Sequence, residues 1–348
     1  MSAITNINKA KKDFTPVNLK TTFPQCGFKN DVIIEIPNVF PEHLLVPSYD
    51  PTYEPDVNAL TQAVMWIAKP YQRSQWCFGY PGTGKTELWH YICHHLRLPL
   101  IVISATADTR TDKLQGKFVL KNNGDGVETK FELGAVAEAM KAGVPCLLDE
   151  GDKLNSDTAA SLHRVAEMKP WLVEDTKEVI IPGDWFRLIV CANTNGRESN
   201  PAFPSSRIQD QAFLDRFDFL SFDYLEPSAE AEILRQEHPS LDVACLGFMV
   251  QVANVLREAT FGPKKGKRRD ITSAQGINAK MTLRTLKAWG YHLRNKGYQG
   301  TFEDALEPCF LAGLDSMTYN ALMAENGILK KVTGKRLNMS PLELMGKS

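Results

Sequence analysis

The sequence predicts an α/β fold, in which a parallel sheet carries helices on both faces, followed by a helical domain. Short apolar runs alternate with helical periodicity between residues 75 and 222. One of these runs leads directly into a glycine-rich loop and then a helix, which is the order of a strand–loop–helix unit in a parallel sheet. Beyond Pro227 the pattern is helical only. At 348 residues the chain is long enough for two packed units.

The domain boundaries follow from these changes of pattern. We predict an irregular N-terminal segment at 1–50, an α/β domain at 51–226, and a helical domain with a C-terminal tail at 227–348. The first segment is rich in proline and contains one short strand candidate, 32–36. The boundary near 226 is where strand signals stop.

The elements of the two domains are predicted from apolar periodicity and turn residues. The predicted strands of the sheet are 75–78, 100–104, 145–149, 186–193 and 219–222. Two hairpins are predicted, one at 114–131 around the turn 121–126 and one at 171–181 around 174–176. The predicted helices are 56–71, 86–96, 156–168, 211–217, 228–237, 241–260, 282–296 and 301 onward.

Composition excludes several classes of protein. The chain is 43% hydrophobic and 23% charged, as in ordinary soluble globular proteins. Its formal net charge of −1 provides no global field for nucleic acid or an anionic membrane. The longest apolar runs have strand length, and residues 1–13 lack the apolar stretch of a secretory signal. The seven cysteines have no C-x-x-C spacing, so we expect buried thiols in a cytoplasmic protein.

One octapeptide carries the strongest functional signal. It fits the phosphate-binding pattern G-x-x-x-x-G-K-[ST] with Gly79, Tyr80, Pro81, Gly82, Thr83, Gly84, Lys85 and Thr86. Glycines let successive backbone N–H groups point at phosphate oxygens, and the following helix adds positive potential. Lys85 is expected at the β- and γ-phosphates and Thr86 at Mg²⁺, and we assign Glu87 to the same nucleotide-binding segment.

Two adjacent carboxylates end a later apolar run. Asp149 and Glu150 follow Pro145–Leu148, so they lie at the carboxyl end of a buried strand. At that position Asp149 can hold Mg²⁺ through water, and Glu150 can polarise the water that attacks the γ-phosphate. An apolar run followed by acids is common by itself, but together with an upstream phosphate loop it predicts a nucleotide-hydrolysing site.

Three further side chains are candidates for the same site. Asn193 follows the apolar run 188–192, and its amide can hydrogen-bond both the γ-phosphate and the attacking water; the alternative is an ordinary turn-forming asparagine. Arg216 can act on a neighbouring subunit's nucleotide, or it forms a surface ion pair with Asp215 or Asp218. Arg284, in the helical domain, could reach across a cleft to the nucleotide.

The order of these motifs resembles that of AAA+ ATPases, and more closely the MoxR-type clade with the small AAA+ subunit of cobaltochelatase (CobS-like). The resemblance extends over about residues 46–322. It depends on the phosphate loop, on the strand ending in Asp149-Glu150, and on four further motifs. These motifs are 111–116 with its hairpin, 186–196 and 214–217, together with 283–285. The resemblance implies an AAA+ P-loop core followed by a helical lid domain.

The resemblance also implies roles and partners. Lys85 matches the Walker A lysine, Asp149 and Glu150 the Walker B acids, and Asn193 sensor 1. Arg216 matches the arginine finger and Arg284 sensor 2, and Arg164 falls where this group tends to carry an arginine. The hairpins match insertions that face the ring pore or its partners. Such proteins bind ATP and Mg²⁺, form rings that are typically hexameric, and work with a von Willebrand factor A domain protein.

The sequence also departs from the resemblance. The segment 196–204 lacks the glycine-rich, Tyr-containing run of chelatase subunits, and the acidic pair is followed by Gly151-Asp152-Lys153 rather than the usual acidic start of a helix. Nothing in the chain indicates a porphyrin or cobalt site. The departures therefore weaken the case for metal-chelatase activity but not for the motor.

The sequence is compatible with three functional hypotheses. The first is an Mg²⁺-dependent ATPase whose ring remodels a partner protein, and the second is a nucleotide-gated assembly scaffold with slow hydrolysis. The third is a nucleic-acid-directed motor that uses the basic residues within 264–269. For that segment the simpler interpretation is a solvated mobile loop. The motifs do not separate ATP from GTP, nor do they define the ring size or the client.

Overall fold

The computed structural model describes residues 14–37, 44–122, 126–199, 202–265, 268–269, 277–295 and 300–346. Parts of some predictions therefore lie outside the described residues. These parts include residues 1–13 and 38–43 of the N-terminal segment, the centre of the first hairpin turn at 123–125, residues 200–201 of the segment 196–204, residues 266–267 of the basic run, and the end of the predicted helix at 296.

Backbone contacts divide the chain into two compact units. The first comprises Met1–Tyr80 and Gly84–Phe222, and the second comprises Pro81–Thr83 and Asp223–Ser348. The first unit includes the N-terminal segment, whose residues Leu19, Phe23 and Ile36 are buried in a cluster with the helix Val57–Ala68. The described residues of this segment thus include elements that pack into a core, where an irregular segment was predicted.

A five-stranded parallel sheet forms the centre of the first unit. The strands of this unit are β1 (Phe14–Asn18), β2 (Ile33–Pro37), β3 (Ser74–Gly79), β4 (Ile101–Ser104), β5 (Gly116–Asn122), β6 (Val127–Leu133), β7 (Pro145–Asp149), β8 (Trp171–Leu172), β9 (Val179–Ile180), β10 (Arg187–Ala192) and β11 (Phe217–Phe222). The sheet has the order β11-β3-β10-β7-β4, and all of its neighbouring strands are parallel.

Helices cover both faces of this sheet. They are α1 (Leu19–Thr22), α2 (Val57–Ala68), α3 (Lys85–His95), α4 (Thr111–Gln115), α5 (Ala135–Ala142), α6 (Ser156–Ser161), α7 (His163–Ala166) and α8 (Gln211–Leu214). Successive residues of β7 enter different hydrophobic clusters, Leu147 one and Leu148 the other. Because side chains alternate along a strand, apolar runs without alternation are buried on both faces, and the predicted α/β fold is confirmed.

Several elements differ from the sequence prediction. The helix predicted at 156–168 is broken at Leu162, whose N–H donates to Ala159 O in a tighter three-residue turn. Helix α2 ends at Ala68 rather than 71, because Lys69 precedes Pro70 and a residue before proline avoids helical angles. Helix α5 and the pairing of β1 with β2 were not predicted.

Both predicted hairpins are present. Strand β5 pairs antiparallel with β6 from Gly116↔Leu133 to Asn122↔Val127. Strand β8 pairs with β9, and Val173 N donates to Glu178 O across the turn. The Gln115 side-chain amide donates to Leu172 O at 2.9 Å, so the two hairpins are connected at their bases.

The second unit is mainly helical. Its elements are α9 (Pro227–Glu237), α10 (Val243–Phe261), β12 (Lys264–Lys265), β13 (Arg268–Arg269), α11 (Leu283–Asn295), α12 (Phe302–Leu306), α13 (Ser316–Met323), α14 (Ile328–Thr333) and α15 (Pro341–Leu344). The region after 301 is therefore a series of short helices rather than one. Trp289 and Phe302 are fully buried at the centre of this unit.

The basic run is not a simple loop. Its described residues form the short antiparallel pair β12–β13, with Lys264 opposite Arg269. Lys264 Nζ lies 2.8 Å from Glu226 Oε1, and Arg269 Nε lies 3.3 Å from Asp223 Oδ1. Acidic neighbours thus compensate two of its charges, which weakens the nucleic-acid hypothesis. Among the described residues, no helix is long and apolar enough to cross a membrane.

Candidate functional site

Polar residues collect where the parallel strands of the first unit end. The register places Ser104 beside Asp149, and Ala192, the residue before Asn193, beside Phe78 at the end of β3. In open parallel sheets, ligands bind at the carboxyl ends of the strands. We call this region the nucleotide edge; it comprises residues 79–80 and 84–86, Asp149, Glu150 and Asn193, all of the first unit.

The phosphate loop at this edge needs glycine at both ends. A Cβ on Gly79 would lie 2.1 Å from Phe222 O, and a Cβ on Gly84 would lie 2.7 Å from the Tyr53 ring. Gly84 also has φ +82° and is the residue before the helix α3. The loop therefore depends on backbone geometry that side chains would block, and it turns directly into the positive end of an α-helix.

Lys85 is held against the loop itself. Its ammonium donates to Gly79 O at 2.8 Å and to Tyr80 O at 2.9 Å, and only 9% of the residue is exposed. Burial lowers the pKa of Lys85, against the opposing effect of Cys191 and Asp149. A buried cation held by neutral carbonyls alone is well placed to receive an anion.

Thr86 and Asp149 bring two oxygen atoms together at the metal position that the sequence predicts. The Thr86 hydroxyl donates to Asp149 Oδ2 at 3.3 Å. The described residues contain no cluster of three or more His, Cys, Asp or Glu side chains that could hold a metal ion. Because Mg²⁺ in nucleotide sites uses one or two protein ligands together with water and phosphate oxygens, this oxygen pair fits it.

Glu150 has an unusual backbone. Its φ is +56°, a left-handed conformation that is uncommon for a side chain other than glycine. Its N–H donates to Asp149 Oδ1 at 3.0 Å, and its carboxylate accepts from Lys153 Nζ at 2.8 Å. The structure thus places the predicted water-activating side chain at the edge, where it is half-exposed and in an ion pair.

Asn193 lies in the turn that follows β10. Its side chain is half-buried, and its backbone N–H donates to the carboxylate of Asp152 at 3.1 Å. Sequence reasoning did not identify Asp152 as a site residue, although it noted the sequence Gly151-Asp152-Lys153. Asp152 is fully buried. In the sequence, the feature that could have identified it is an acid two residues after Glu150.

Arg216 pairs with a carboxylate other than the two that the sequence suggested, Asp215 and Asp218. Its Nε lies 3.1 Å from Glu167 Oε1, and its Nη1 donates to Ala212 O. Asp218 instead pairs with Arg73, and Asp215 lies 3.7 Å from Arg197. Sequence reasoning thus missed Glu167, because only folding brings α7 beside the end of α8.

The other candidates are arranged as follows. Glu87 accepts the N–H of Asp50 at 2.6 Å, so its carboxylate anchors the N-terminal segment. Tyr80 packs near Phe203, with ring centroids 6.4 Å apart. Arg164 donates to Pro170 O. Arg284 is exposed in the first turn of α11, in the second unit, whereas the other charged candidates belong to the first.

Comparison with protein families and curated proteins identifies relatives of this region. Residues 78–217 match the AAA domain of the dynein-related subfamily. Protein CbbQ of Hydrogenophilus thermoluteolus is 28% identical over 176 residues, which cover 50% of this chain and 62% of CbbQ. The denitrification regulatory protein NirQ of Stutzerimonas stutzeri is 29% identical over 181 residues, covering 51% of this chain and 62% of NirQ.

NorQ of Paracoccus denitrificans is 29% identical over 161 residues, covering 46% of this chain and 56% of NorQ. The chain thus spans less than two thirds of the length of these relatives. Among solved structures, RuvB of Thermotoga maritima aligns with a TM-score of 0.41 and 14% identity, covering 83% of this chain and 87% of RuvB. The family match confirms the predicted AAA+ core of the fold.

Proposed function

We propose that this chain, a member of the MoxR-type AAA+ proteins, binds and hydrolyses ATP with Mg²⁺ and uses the reaction to remodel a partner protein. One observation carries the proposal. At the nucleotide edge, the buried Lys85, the Thr86–Asp149 oxygen pair, Glu150 and Asn193 follow the ends of neighbouring parallel strands. Phosphoryl transfer depends on such positioning and on charge stabilisation more than on covalent chemistry.

Each side chain has a defined task in this proposal. Lys85 exchanges its two carbonyl contacts for the β- and γ-phosphate oxygens, and the backbone N–H groups of residues 84–86 donate to the phosphates. The oxygen atoms of Thr86 and Asp149, which lie 3.3 Å apart, would hold the metal. Bound Mg²⁺ neutralises charge that develops on the phosphate oxygens.

Glu150 accepts a proton from the attacking water, and Asn193 orients that water. In the structure, the Glu150 carboxylate is paired with Lys153 at 2.8 Å. This contact has to lengthen before the carboxylate can accept a proton. Lys153 is 24% exposed and Glu150 45% exposed, so solvent screens the pair and the cost of opening it is small.

Arg216 supports assembly into a ring. Within its own chain it contacts Glu167, which directly follows the helix α7 and is not part of the phosphate loop. We propose that Arg216 completes the nucleotide site of an adjacent copy in a ring. Arg284, in the helical domain, makes the conformation of that domain depend on the bound nucleotide. A hexamer, a von Willebrand factor A domain partner and a cytoplasmic location complete the proposal.

A second candidate function is a nucleotide-gated assembly scaffold. The Glu150–Lys153 ion pair is the observation behind it. A Glu150 carboxylate that stayed paired with Lys153 when ATP is bound would activate water poorly, and turnover would be slow. In that case ATP binding would drive assembly, and the assembled ring itself would be the functional product.

The decisive experiment measures Mg²⁺-dependent ATP hydrolysis against protein concentration. Wild type, Glu150→Ala, Arg216→Ala and a mixture of the two variants are compared, with Arg197→Ala as a control arginine that is also partly exposed. We expect activity to rise with concentration, each single variant to lose about 100-fold or more in kcat, and the mixture to regain activity. Arg197→Ala should hydrolyse ATP like wild type.

The possible results separate the two candidates. Regained activity in the mixture requires Arg216 to act on a neighbouring copy. Activity that is independent of concentration and survives Arg216→Ala would refute the finger assignment. Equal, very low turnover in wild type and Glu150→Ala, with ATP-dependent assembly in both, would favour the scaffold.

A further inference from the structure

Asp152 is a fully buried acid beneath the nucleotide edge. It lies in the single turn Gly151–Lys153 that follows Glu150. One of its carboxylate oxygens, Oδ2, accepts hydrogen bonds from Asn193 N at 3.1 Å and from Thr194 N at 3.2 Å. The same oxygen accepts from the Thr194 hydroxyl at 3.3 Å and from the Ser206 hydroxyl at 2.6 Å.

These contacts join three segments that carry candidate site residues. The Asp152 backbone carbonyl accepts from Arg207 N at 2.8 Å, and Gln209 N donates to Gly196 O at 2.8 Å. The Gln209 amide also reaches Leu154 O. Residues 206–209 lead directly into α8 and then Arg216. The turn after Glu150, the turn containing Asn193 and the segment before Arg216 therefore meet at one side chain.

The pattern of contacts differs from that of an acid buried for stability alone. A buried carboxylate is costly unless both oxygens are satisfied, yet among the described residues Oδ1 of Asp152 has no hydrogen-bond partner. All donors to its Oδ2 come from the turn after β10 or from Ser206. The Asp152 side chain thus fixes the backbone of the turn that contains Asn193. Burying its second oxygen without a partner costs free energy of desolvation.

We propose that Asp152 is a positioning residue, which orients the Asn193 amide and couples it to the segment that carries Arg216. The inference rests on the proposed ATPase function, because Asn193 and Arg216 have their roles only there. Backbone N–H bonds to the carboxylate leave few orientations for the Asn193 side chain. Residues that orient a catalytic group typically contribute about 10- to 100-fold to activity.

The first test does not require catalysis. Amide hydrogen exchange is measured by mass spectrometry for wild type, Asp152→Asn and Asp152→Ala, in peptides that cover 187–199 and 203–217. We expect exchange at Asn193 and Thr194 to rise by about tenfold or more in Asp152→Ala and less in Asp152→Asn, which keeps one acceptor oxygen. Exchange in α2 should stay at the wild-type level.

Ser206→Ala provides a milder variant should both Asp152 substitutions disturb folding. It removes the 2.6 Å bond to Oδ2 but leaves the carboxylate in place. Ser161→Ala is the matched control, because this half-buried hydroxyl donates to Thr158 O instead of to Asp152. Exchange at Asn193 should rise in Ser206→Ala and stay unchanged in Ser161→Ala.

The second test measures steady-state ATP hydrolysis and nucleotide affinity. Asp152→Asn should lower kcat about tenfold with KM and the affinity for ATP unchanged. In an Asn193→Ala background the same substitution should have little further effect on kcat, because Asp152 acts through Asn193. A purely structural role predicts that the two effects multiply.

The outcomes distinguish the inference from the proposed function. Unchanged exchange at Asn193, or raised exchange with unchanged kcat, would overturn the positioning role while leaving the ATPase intact. Multiplying effects in the double variant would also overturn it. If wild type hydrolyses no ATP, the proposed function fails, and the exchange result still decides whether Asp152 holds the Asn193 turn.

Discussion

The nucleotide edge of the first unit and the core of the helical unit both bury charged side chains, but they satisfy them differently. Arg257 makes two bonds to Glu230, at 2.7 and 2.9 Å, donates to Met281 O, and lies 3.9 Å from the Tyr224 ring. Lys85, by contrast, donates to two loop carbonyls and to no carboxylate within the part of the chain that the structure describes.

This difference separates structural from functional burial. Both carboxylate oxygens of Glu230 accept hydrogen bonds from Arg257, and the side chains of the pair are 0–1% exposed. This pair therefore has no free carboxylate oxygen with which to bind a ligand. At the nucleotide edge, by contrast, Lys85 has no acid within ion-pair distance among the described residues. One carboxylate oxygen of the nearby Asp152 also has no hydrogen-bond partner among them. Buried polar groups that lack a counter-charge or a hydrogen-bond partner, at the end of a parallel sheet, are typical of a ligand-binding region.

The largest expected effect is on Lys85. Lys85→Met should weaken the affinity for ATP by about 100-fold or more, because charge-assisted bonds to the phosphates are lost. It should not lower the free energy of unfolding, since it removes a buried charge whose pKa is already lowered by burial. Titration with a fluorescent ATP analogue and urea unfolding measure the two quantities.

Lys141→Met is the control for this substitution. Lys141 is half-exposed and pairs with Glu178 at 3.0 Å, away from the loop. We expect it to leave the affinity for ATP unchanged. If Lys85→Met instead destabilised the fold and kept its affinity for ATP, the distinction between the two regions would be wrong.

A smaller effect, on stability alone, is expected in the helical unit. Glu230→Gln should lower the free energy of unfolding by about 3–5 kcal/mol, because the buried Arg257 loses its counter-charge. Replacing both residues, with Glu230→Leu and Arg257→Met, should recover much of that loss. Guanidinium unfolding monitored by circular dichroism measures both. A double variant less stable than Glu230→Gln would show that the pair contributes net stability.

The smallest effect concerns pH. His238 in the helical unit contacts Lys287 O through Nε2 at 2.9 Å, so that nitrogen carries the proton. Burial lowers the pKa of His238 below its usual 6.5. As the pH falls, His238 therefore takes up a proton in the unfolded chain before it does so in the folded protein. The contribution of neutral His238 to the free energy of unfolding is fully present above pH 6.5 and is lost as the pH falls through the folded-state pKa.

The comparison variant is His238→Gln, whose amide can donate to the same carbonyl without titrating. Thermal melting between pH 5 and 8 should show a steeper loss of stability below pH 6.5 in wild type than in the variant. Parallel curves would mean that His238 contributes no pH dependence.

Local sequence determined much of this protein. The glycines of residues 79–86 specify a loop that backbone sterics allow in few ways, and unbroken apolar runs that end in Asp149 and at Asn193 specify buried parallel strands with polar tips. Both hairpins followed from their turn residues and alternating arms. These signals lie within a few residues of one another, so the sequence alone suffices to read them.

Tertiary structure decided the partners of the site residues. The Asp152 contacts with Thr194 and Ser206, and the pairing of Arg216 with Glu167, join residues more than 40 positions apart. The hydrophobic periodicity of the sequence does not predict such pairs, because they depend on which strands are neighbours and on how the loops pack over the sheet. Burial of a charge, unlike the propensity for a helix or a turn, is a property of the whole fold.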